Sequence, residues 1–254
     1  MGKNNKTTQN YSRNPEFAPA TLTDHPFYGL TLDPEQEQFR DAIWDPKKTV
    51  VVCNAKAGTG KSTIALATAN LLVLHGRYDG IIYIMSPTQE ERMGYLPGTI
   101  EEKSAPYMQP LIDAMITLGI PEYALQSDDN IKGAKSGDAY IQFMTEIYLR
   151  GCNLENKVII IDESQNYHFD TLKKTLTRIH DTAKVVLIGH TGQCDLFKHP
   201  ERSGFKPYLD AFQKEINENG PNADKISIST LTKNYRGWFS NFCDNVQEPE
   251  KIKK

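Results

Sequence analysis

The chain lacks any apolar run of about 18 residues, the length needed to cross a bilayer, so no membrane span is expected. Met1–Asn10 is polar and lacks the apolar centre of a secretory leader. A cytoplasm is therefore the expected compartment. A basic excess is missing too, since the formal net charge is −3. Sequence-blind binding to duplex nucleic acid ordinarily leaves a strongly basic signature. The balance argues against that function and leaves room for a local basic groove. Cysteine is scarce: Cys53, Cys152, Cys194 and Cys243 stand far apart, without zinc-ligand spacing and without histidines at matching intervals. Reduced, structural thiols are expected. No internal repeat is visible.

What is present reads as one arm and one domain. Residues 1–30 are rich in Asn, Thr and Pro, and Lys3, Lys6 and Arg13 precede most of the acids. That composition predicts a flexible basic arm, with the domain over 31–254. From Leu32 onward helical and strand-like segments alternate. Asp33-Pro34 reads as an N-cap and first helical residue, opening a helix to about Trp44. Apolar, β-branched runs predict strands at 49–54, 80–85, 139–144, 157–162, 183–189 and 226–230. Helices are predicted between them at 62–75, 104–118, 170–179 and 205–217. Continuous apolar strands alternating with helices imply an α/β fold, a mostly parallel sheet with helices on both faces. Ligands of such sheets bind at the carboxyl ends of the strands.

The chemistry-bearing motifs fall at those ends. Ala55-Lys-Ala-Gly-Thr-Gly-Lys-Ser62 follows the first strand and opens the next helix. It matches the P-loop pattern, with Ala55 where Gly is commonest. Small residues at Ala57, Gly58 and Gly60 let the backbone curl so that successive N–H groups, including those of Lys56 and Thr59, face a polyphosphate at a helix N-terminus. Lys61 is expected on the β- and γ-phosphates and the Ser62 hydroxyl on Mg²⁺. Thr63 follows as a further polar contact. ATP and Mg²⁺ are the implied cofactors.

A second motif ends the strand Val158-Ile-Ile-Ile-Asp162 and continues into Glu163. A carboxylate at the tip of a buried strand is costly unless it meets a cation. Asp162 fits the Walker B role of holding Mg²⁺, directly or through water, and Glu163 that of orienting and deprotonating the attacking water. On the neighbouring strand end, Gly189-His-Thr-Gly-Gln193 offers Gln193 as a γ-phosphate sensor.

With these residues in hand the chain resembles the PhoH family of ATPases, most of all its small phage-type members, over about residues 32–215. The segment Glu91-Arg-Met-Gly-Tyr-Leu-Pro-Gly98, followed by Glu101-Glu-Lys103 and Pro106-Tyr107, is similar to the family's G-x-L-P-G-x-x-x-E-K-x-x-P-Y pattern. Tyr148-Leu-Arg-Gly151, Asp162-Glu-Ser-Gln-Asn166 and Leu176-Thr-Arg178 also resemble family segments; the family usually has Ala where Ser164 stands. The resemblance implies a RecA-like P-loop NTPase, similar to one half of a superfamily-1 helicase. By that comparison Gln36, with Gln38 as fallback, reads the adenine edge. His190 replaces the acid of a G-D-x-x-Q sensor motif that retains Gln193. Gln165 couples the nucleotide site to nucleic acid.

The implied function is an ATP hydrolase acting on RNA or single-stranded DNA, with translocase or helicase activity open. About 30 residues precede the family-like core, too few for the PIN nuclease domain of some relatives, so no nuclease activity is expected. One RecA-like half supplies no arginine finger from a second half. A head-to-tail homo-oligomer, a hexameric ring by the resemblance, would supply it from a neighbour. Arg150, Arg178 and Arg236 are the candidates, with Arg178 foremost. The region from Thr88 to Tyr107 mixes Arg92, Lys103, Tyr95 and Tyr107 and is the candidate nucleic-acid surface. Two other readings compete: a regulatory nucleotide switch with slow turnover, and a small-molecule kinase. The adjacent Asp162 and Glu163 argue against the kinase, because a water-activating Glu would waste ATP.

Overall fold

A computed structural model describes residues 18–86, 100–126, 139–145, 154–192, 194, 196, 200–244 and 246, with backbone alone at 100–106, 200 and 244. The chain forms α1 (Pro34–Trp44), β1 (Val50–Ala55), α2 (Lys61–Leu74), β2 (Gly80–Met85) and α3 (Ile100–Leu118), then β3 (Ile141–Thr145), β4 (Lys157–Asp162), α4 (Phe169–Leu176), β5 (Lys184–Gly189), α5 (Phe205–Asn217), β6 (Ile226–Leu231) and α6 (Trp238–Asp244). The strands lie in the order β3-β2-β4-β5-β1-β6 and every pairing is parallel. All carboxyl ends therefore share one edge. Among the described residues no helix is long and apolar enough to cross a membrane.

Period-two alternation sorts the strand side chains onto two cores. Val51, Cys53, Ile81, Tyr83, Val158, Ile160, Val186 and Ile188 meet α1, α2 and α3. Val52, Ile82, Ile84, Ile159, Ile161 and Leu187 meet α4 and α5. Burial on both sides is why these strands are unbroken apolar runs. By the same parity Asp162 belongs to the face of Val158 and Ile160, the face that carries α2.

Residues 18–30, read from composition as the end of a flexible arm, pack against the α1–α2 side. Leu22 and Phe27 are buried in that core. The Pro19 carbonyl accepts hydrogen bonds from the Trp44 indole at 3.0 Å and the Arg77 guanidinium at 3.3 Å. Arg77 in turn lies 4.2 Å over the Trp44 ring. Residues 1–17 fall outside the described residues. At the other end, α6 stands where the sequence analysis placed no element.

Candidate nucleotide-binding site

The loop between β1 and α2 takes its shape from two glycines. Gly58 and Gly60 have φ of 80° and 81°, the left-handed region that side chains resist. At Gly58 space excludes a side chain as well, since a Cβ would come within 2.5 Å of the Asn234 side-chain oxygen. The Thr59 hydroxyl donates to the Lys56 carbonyl at 3.1 Å and closes the loop on itself. Ala55 ends β1 beneath it, fully buried. Lys61, Ser62 and Thr63 then form the first turn of α2, where unpaired N–H groups and the helix dipole favour an anion.

Gln36 braces this loop from α1. Its side-chain oxygen accepts the Asp33 N–H at 3.1 Å, and the Asp33 carboxylate accepts the Gln36 N–H at 2.9 Å. The pair is a reciprocal capping box. The Gln36 amide nitrogen then donates to the Thr59 carbonyl at 2.9 Å. Gln36 thus lines the cleft while both ends of its carboxamide hold the scaffold.

Across from the loop stands the Asp162 carboxylate, almost wholly buried. Its Oδ2 accepts the Ser62 hydroxyl at 2.6 Å and also the Tyr83 hydroxyl; its Oδ1 accepts the Glu163 N–H at 2.8 Å. Burial pushes the Tyr83 phenol well above its usual pKa, and the nearby Asp162 charge and the hydrogen bond to it push the same way. It stays a neutral donor. Burial also raises the Cys53 thiol far above its usual range, so it stays protonated in the core.

Glu163 has φ of 49°, a left-handed backbone for a residue with a side chain. Such strain costs on the order of 1–3 kcal/mol and clusters at functional sites. It turns the side chain off the line of β4 toward Lys61, whose amine lies 3.9 Å from Glu163 Oε1. The other carboxylate oxygen is held by the Gln165 amide at 2.5 Å. Gln165 is itself buried, and its oxygen accepts the His190 N–H at 3.1 Å. The glutamate is thereby tied to the end of β5.

The segment after β6 straps across the loop. Thr232 donates through its N–H at 2.7 Å and its hydroxyl at 3.0 Å to the Glu35 carboxylate. The Tyr235 N–H donates to the Gly58 carbonyl at 2.8 Å and its phenol to Asp33 at 2.7 Å. Arg236, next in line, donates its N–H to the Asn234 side chain at 2.8 Å. The cleft between strap, loop and β4 has a volume near 720 Å³, the size of a small-molecule site. Gln36, Ala57, Gly58, Gly60, Lys61, Ser62, Thr63, Asp162, Glu163 and Arg236 line it.

The structure thus brings together most of the residues singled out from sequence. Gln38, the fallback for Gln36, opens onto a different groove beside Asp41 and Lys48. Arg178 is exposed just beyond α4 and is not among the residues lining the cleft. Gln193, Arg150, the segment 91–98 and Tyr148–Gly151 lie outside the described residues. So does most of the candidate nucleic-acid surface from Thr88 to Tyr107; Tyr107 itself packs against the core. Sequence reasoning missed Tyr83, whose lone hydroxyl in an apolar strand was the available signal. The segment Asn234-Tyr-Arg236 reads from sequence as a second contact of the site, and Tyr235 and Arg236 do line the cleft; the strap's hydrogen-bond partners on the loop and α1 carry no local signal.

A P-loop at a helix N-terminus, facing a strand-end carboxylate pair across one cleft, defines a nucleotide-binding α/β domain of the P-loop kind. The family profile described as PhoH-like protein matches residues 31–232, and the chain belongs to the PhoH family. It is 34% identical over 209 residues to the PhoH-like protein of Mycobacterium tuberculosis (strain H37Rv), covering 80% of this chain and 54% of that protein. It is 32% identical over 172 residues to Protein PhoH of Escherichia coli K12, covering 66% of this chain and 46% of that one. The chain spans about half the length of these relatives. Among solved structures, the Sulfolobus solfataricus SWI2/SNF2 ATPase core in complex with dsDNA aligns with a TM-score of 0.47 at 15% identity, over 79% of this chain and 45% of that one. The Pyrococcus furiosus Hef helicase domain aligns with a TM-score of 0.44 at 16% identity, over 77% and 38%.

Proposed function

We propose that the chain is a magnesium-dependent ATP hydrolase that self-assembles and acts on RNA or single-stranded DNA. The observation that carries the hydrolytic reading is the convergence of Lys61, Ser62, Asp162 and Glu163 on one cleft. Ser62 and Asp162 offer hard oxygen ligands 2.6 Å apart at the mouth of the loop, which suits Mg²⁺. These two residues would hold Mg²⁺, which when bound would supply charge neutralisation to the phosphates. The loop N–H groups and Lys61 hold the phosphate chain. Glu163, fixed by Gln165, accepts the proton of the attacking water. Arg236 supplies positive charge from within the same chain, facing the charge that develops in the transition state. Arg178, exposed on the surface, is available to a neighbour's cleft in a head-to-tail ring.

Self-assembly is supported by α6. Trp238, Phe239 and Phe242 are 79%, 65% and 65% exposed, and the first two rings touch edge to face at 5.6 Å. Aromatic residues carry about 150–250 Å² each, so in a head-to-tail contact α6 would contribute roughly 400 Å² and the neighbour's facing surface about as much, approaching the lower bound of a specific interface. The helix carries no charge but Asp244, as the centre of a protein interface requires. A second copy on α6 would stand beside Arg236 and the cleft.

The strap favours a second reading, a nucleotide switch, because it ties the P-loop to α6 through Tyr235. ATPase rates with and without single-stranded RNA or DNA, at fixed salt, separate the two. Several-fold stimulation fits the motor; slow, unstimulated turnover fits the switch. The hydrolytic reading itself is tested by Glu163→Gln. It is expected to bind Mg·ATP as before and to lose about 10²–10⁴-fold in kcat, the range for a general base. Normal turnover in that variant would refute the mechanism.

A further inference from the structure

The sheet has a second concave surface, at the end away from the cleft. The starts of β1, β5 and β6 and the second half of α5 enclose a groove near 530 Å³, within the range of cavities that enclose small organic groups. Val50, Val185, Phe212 and Ile226 give it apolar walls. Its rim is mixed in sign, with Asp181 and Glu215 against Lys225, so charge neither draws nor repels an uncharged occupant. Nothing in the nucleotide chemistry uses this groove. The helix α6 is its converse. Trp238 and Phe242 stand four residues apart and so project from the same side of the helix. They are 79% and 65% exposed. The strap holds α6 at the P-loop end through the Tyr235 N–H, while the groove opens at the other end of six-residue strands, roughly 20 Å away. A chain therefore cannot fill its own groove with its own helix.

We infer that this groove is the acceptor for α6 of a second copy, in a head-to-tail contact. The aromatic side chains and the groove walls together bury an area approaching the ~1,000 Å² of a specific interface. A helix seated on a different surface of its neighbour is a heterologous contact, which leaves one free helix and one free groove at the ends of any open assembly. The order of residues along the chain gives the contact a consequence. Arg236 lines the cleft and stands two residues before Trp238; Arg178 stands two residues before His180, which lines the groove. Two residues span at most about 7 Å, so seating α6 in the groove brings the acceptor's Arg178 beside the donor's cleft. An isologous pairing of two α6 helices would leave Arg178 at the far edge of each chain. The inference rests on the self-assembling ATPase reading above and deepens it, by naming the surface that receives α6.

The test uses full chains and light scattering, at a concentration where the wild type is assembled. Ala211 lines the groove from the exposed side of α5, so Ala211→Glu charges the groove without entering the core. That variant is expected to be monomeric, and so is the Trp238→Asp, Phe242→Asp double variant. Mixed one to one, the two are expected to form dimers and stop there, because one chain keeps the helix and the other keeps the groove. Assembly of Ala211→Glu like the wild type, or a mixture that stays monomeric, would overturn the inference. A wild type that is monomeric throughout would refute self-assembly itself, so the two failures are distinguishable. The mixed dimer is expected to turn over ATP at least about 10-fold faster than the separate chains, less than the full effect of an arginine supplied by a neighbour. Arg178→Ala in the acceptor chain should cancel that gain while the dimer persists. No gain, or a gain that survives this change, would overturn the placement of Arg178. Should Ala211→Glu fail to fold, Lys225→Cys decides. A short bis-maleimide is expected to join it to the exposed Cys243 of a neighbour, and not in the Cys243→Ser background. An absent product, or equal yields in both backgrounds, would sink the contact.

Discussion

Lys184 opens β5 at the end of the sheet opposite the cleft, and its side chain is fully buried. Its amine donates to the Asp45 carbonyl at 2.9 Å and to the Lys48 carbonyl, in the turn that follows α1. No carboxylate pairs with it directly among the described residues. Burial pushes its pKa down from 10.5 to about 8; the Asp45 charge opposes that shift and Arg77 adds to it. In the unfolded chain the amine regains its ordinary value. Between about pH 8 and 10.5 the unfolded state therefore binds a proton that the folded state has lost. Stability must rise with pH across that window. One pKa unit corresponds to about 1.4 kcal/mol, so the full contribution is on the order of 3 kcal/mol. It is complete above the unfolded pKa and disappears as pH falls through the folded one.

Urea unfolding of the wild type and of Lys184→Met at pH 7, 8, 9 and 10.5 isolates this group, because distant titrations cancel in the difference. Wild-type stability relative to the variant should rise by only about a few tenths of a kcal/mol from pH 7 to 8. It should then climb by roughly 2–3 kcal/mol toward pH 10.5. The offset at pH 7 is a separate quantity, set by the buried cation in one protein and the two unpaired carbonyls in the other. A pH-independent difference would mean that Lys184 keeps an ordinary pKa, through water or local opening, and would refute the reasoning.

Arg236→Ala is expected to lower kcat by about 10²–10³-fold, the cost of losing one transition-state donor, while Arg178→Ala leaves the rate of an isolated chain unchanged. Steady-state kinetics at dilutions that keep the chain monomeric checks the pair, and equal effects would remove the distinction. Trp238→Asp combined with Phe242→Asp should abolish self-assembly on α6 without altering the melting temperature, because both side chains are already exposed. Light scattering across a concentration series tests this, and an oligomer that survives both changes would show that α6 is not the contact.

How much of this was legible in the chain depends on whether the signal was local. The strand Lys157-Val-Ile-Ile-Ile-Asp162 announces itself, because a parallel strand buried on both faces must be apolar throughout and its polar tip must have a purpose. The P-loop is equally local: its two left-handed positions are both glycine. The start of α1 could be read from Asp33-Pro34, and the capping box added only Gln36's share. Residues 18–30 were misjudged because coil packs through isolated anchors such as Leu22 and Phe27, which have no period to detect. The helix α6 escaped because its aromatic side chains stay exposed among the described residues, so no amphipathic pattern marks it.

Tyr83 and the strap share a deeper reason. The importance of Tyr83 comes from β2 lying beside β4, a pairing across most of a hundred residues of sequence that only the sheet order reveals. Tyr235 reaches Gly58 and Asp33 because β6 pairs with β1, which returns the chain's last strand to the side of its first. Sequence locates the groups that meet the nucleotide, because those residue types are forced by the chemistry. It is silent on the groups that hold them, since any donor at the right place in the fold would serve. The Asp162 carboxylate makes the point: its existence follows from the strand, but which of its lone pairs stay open is decided in part by a phenol on another strand.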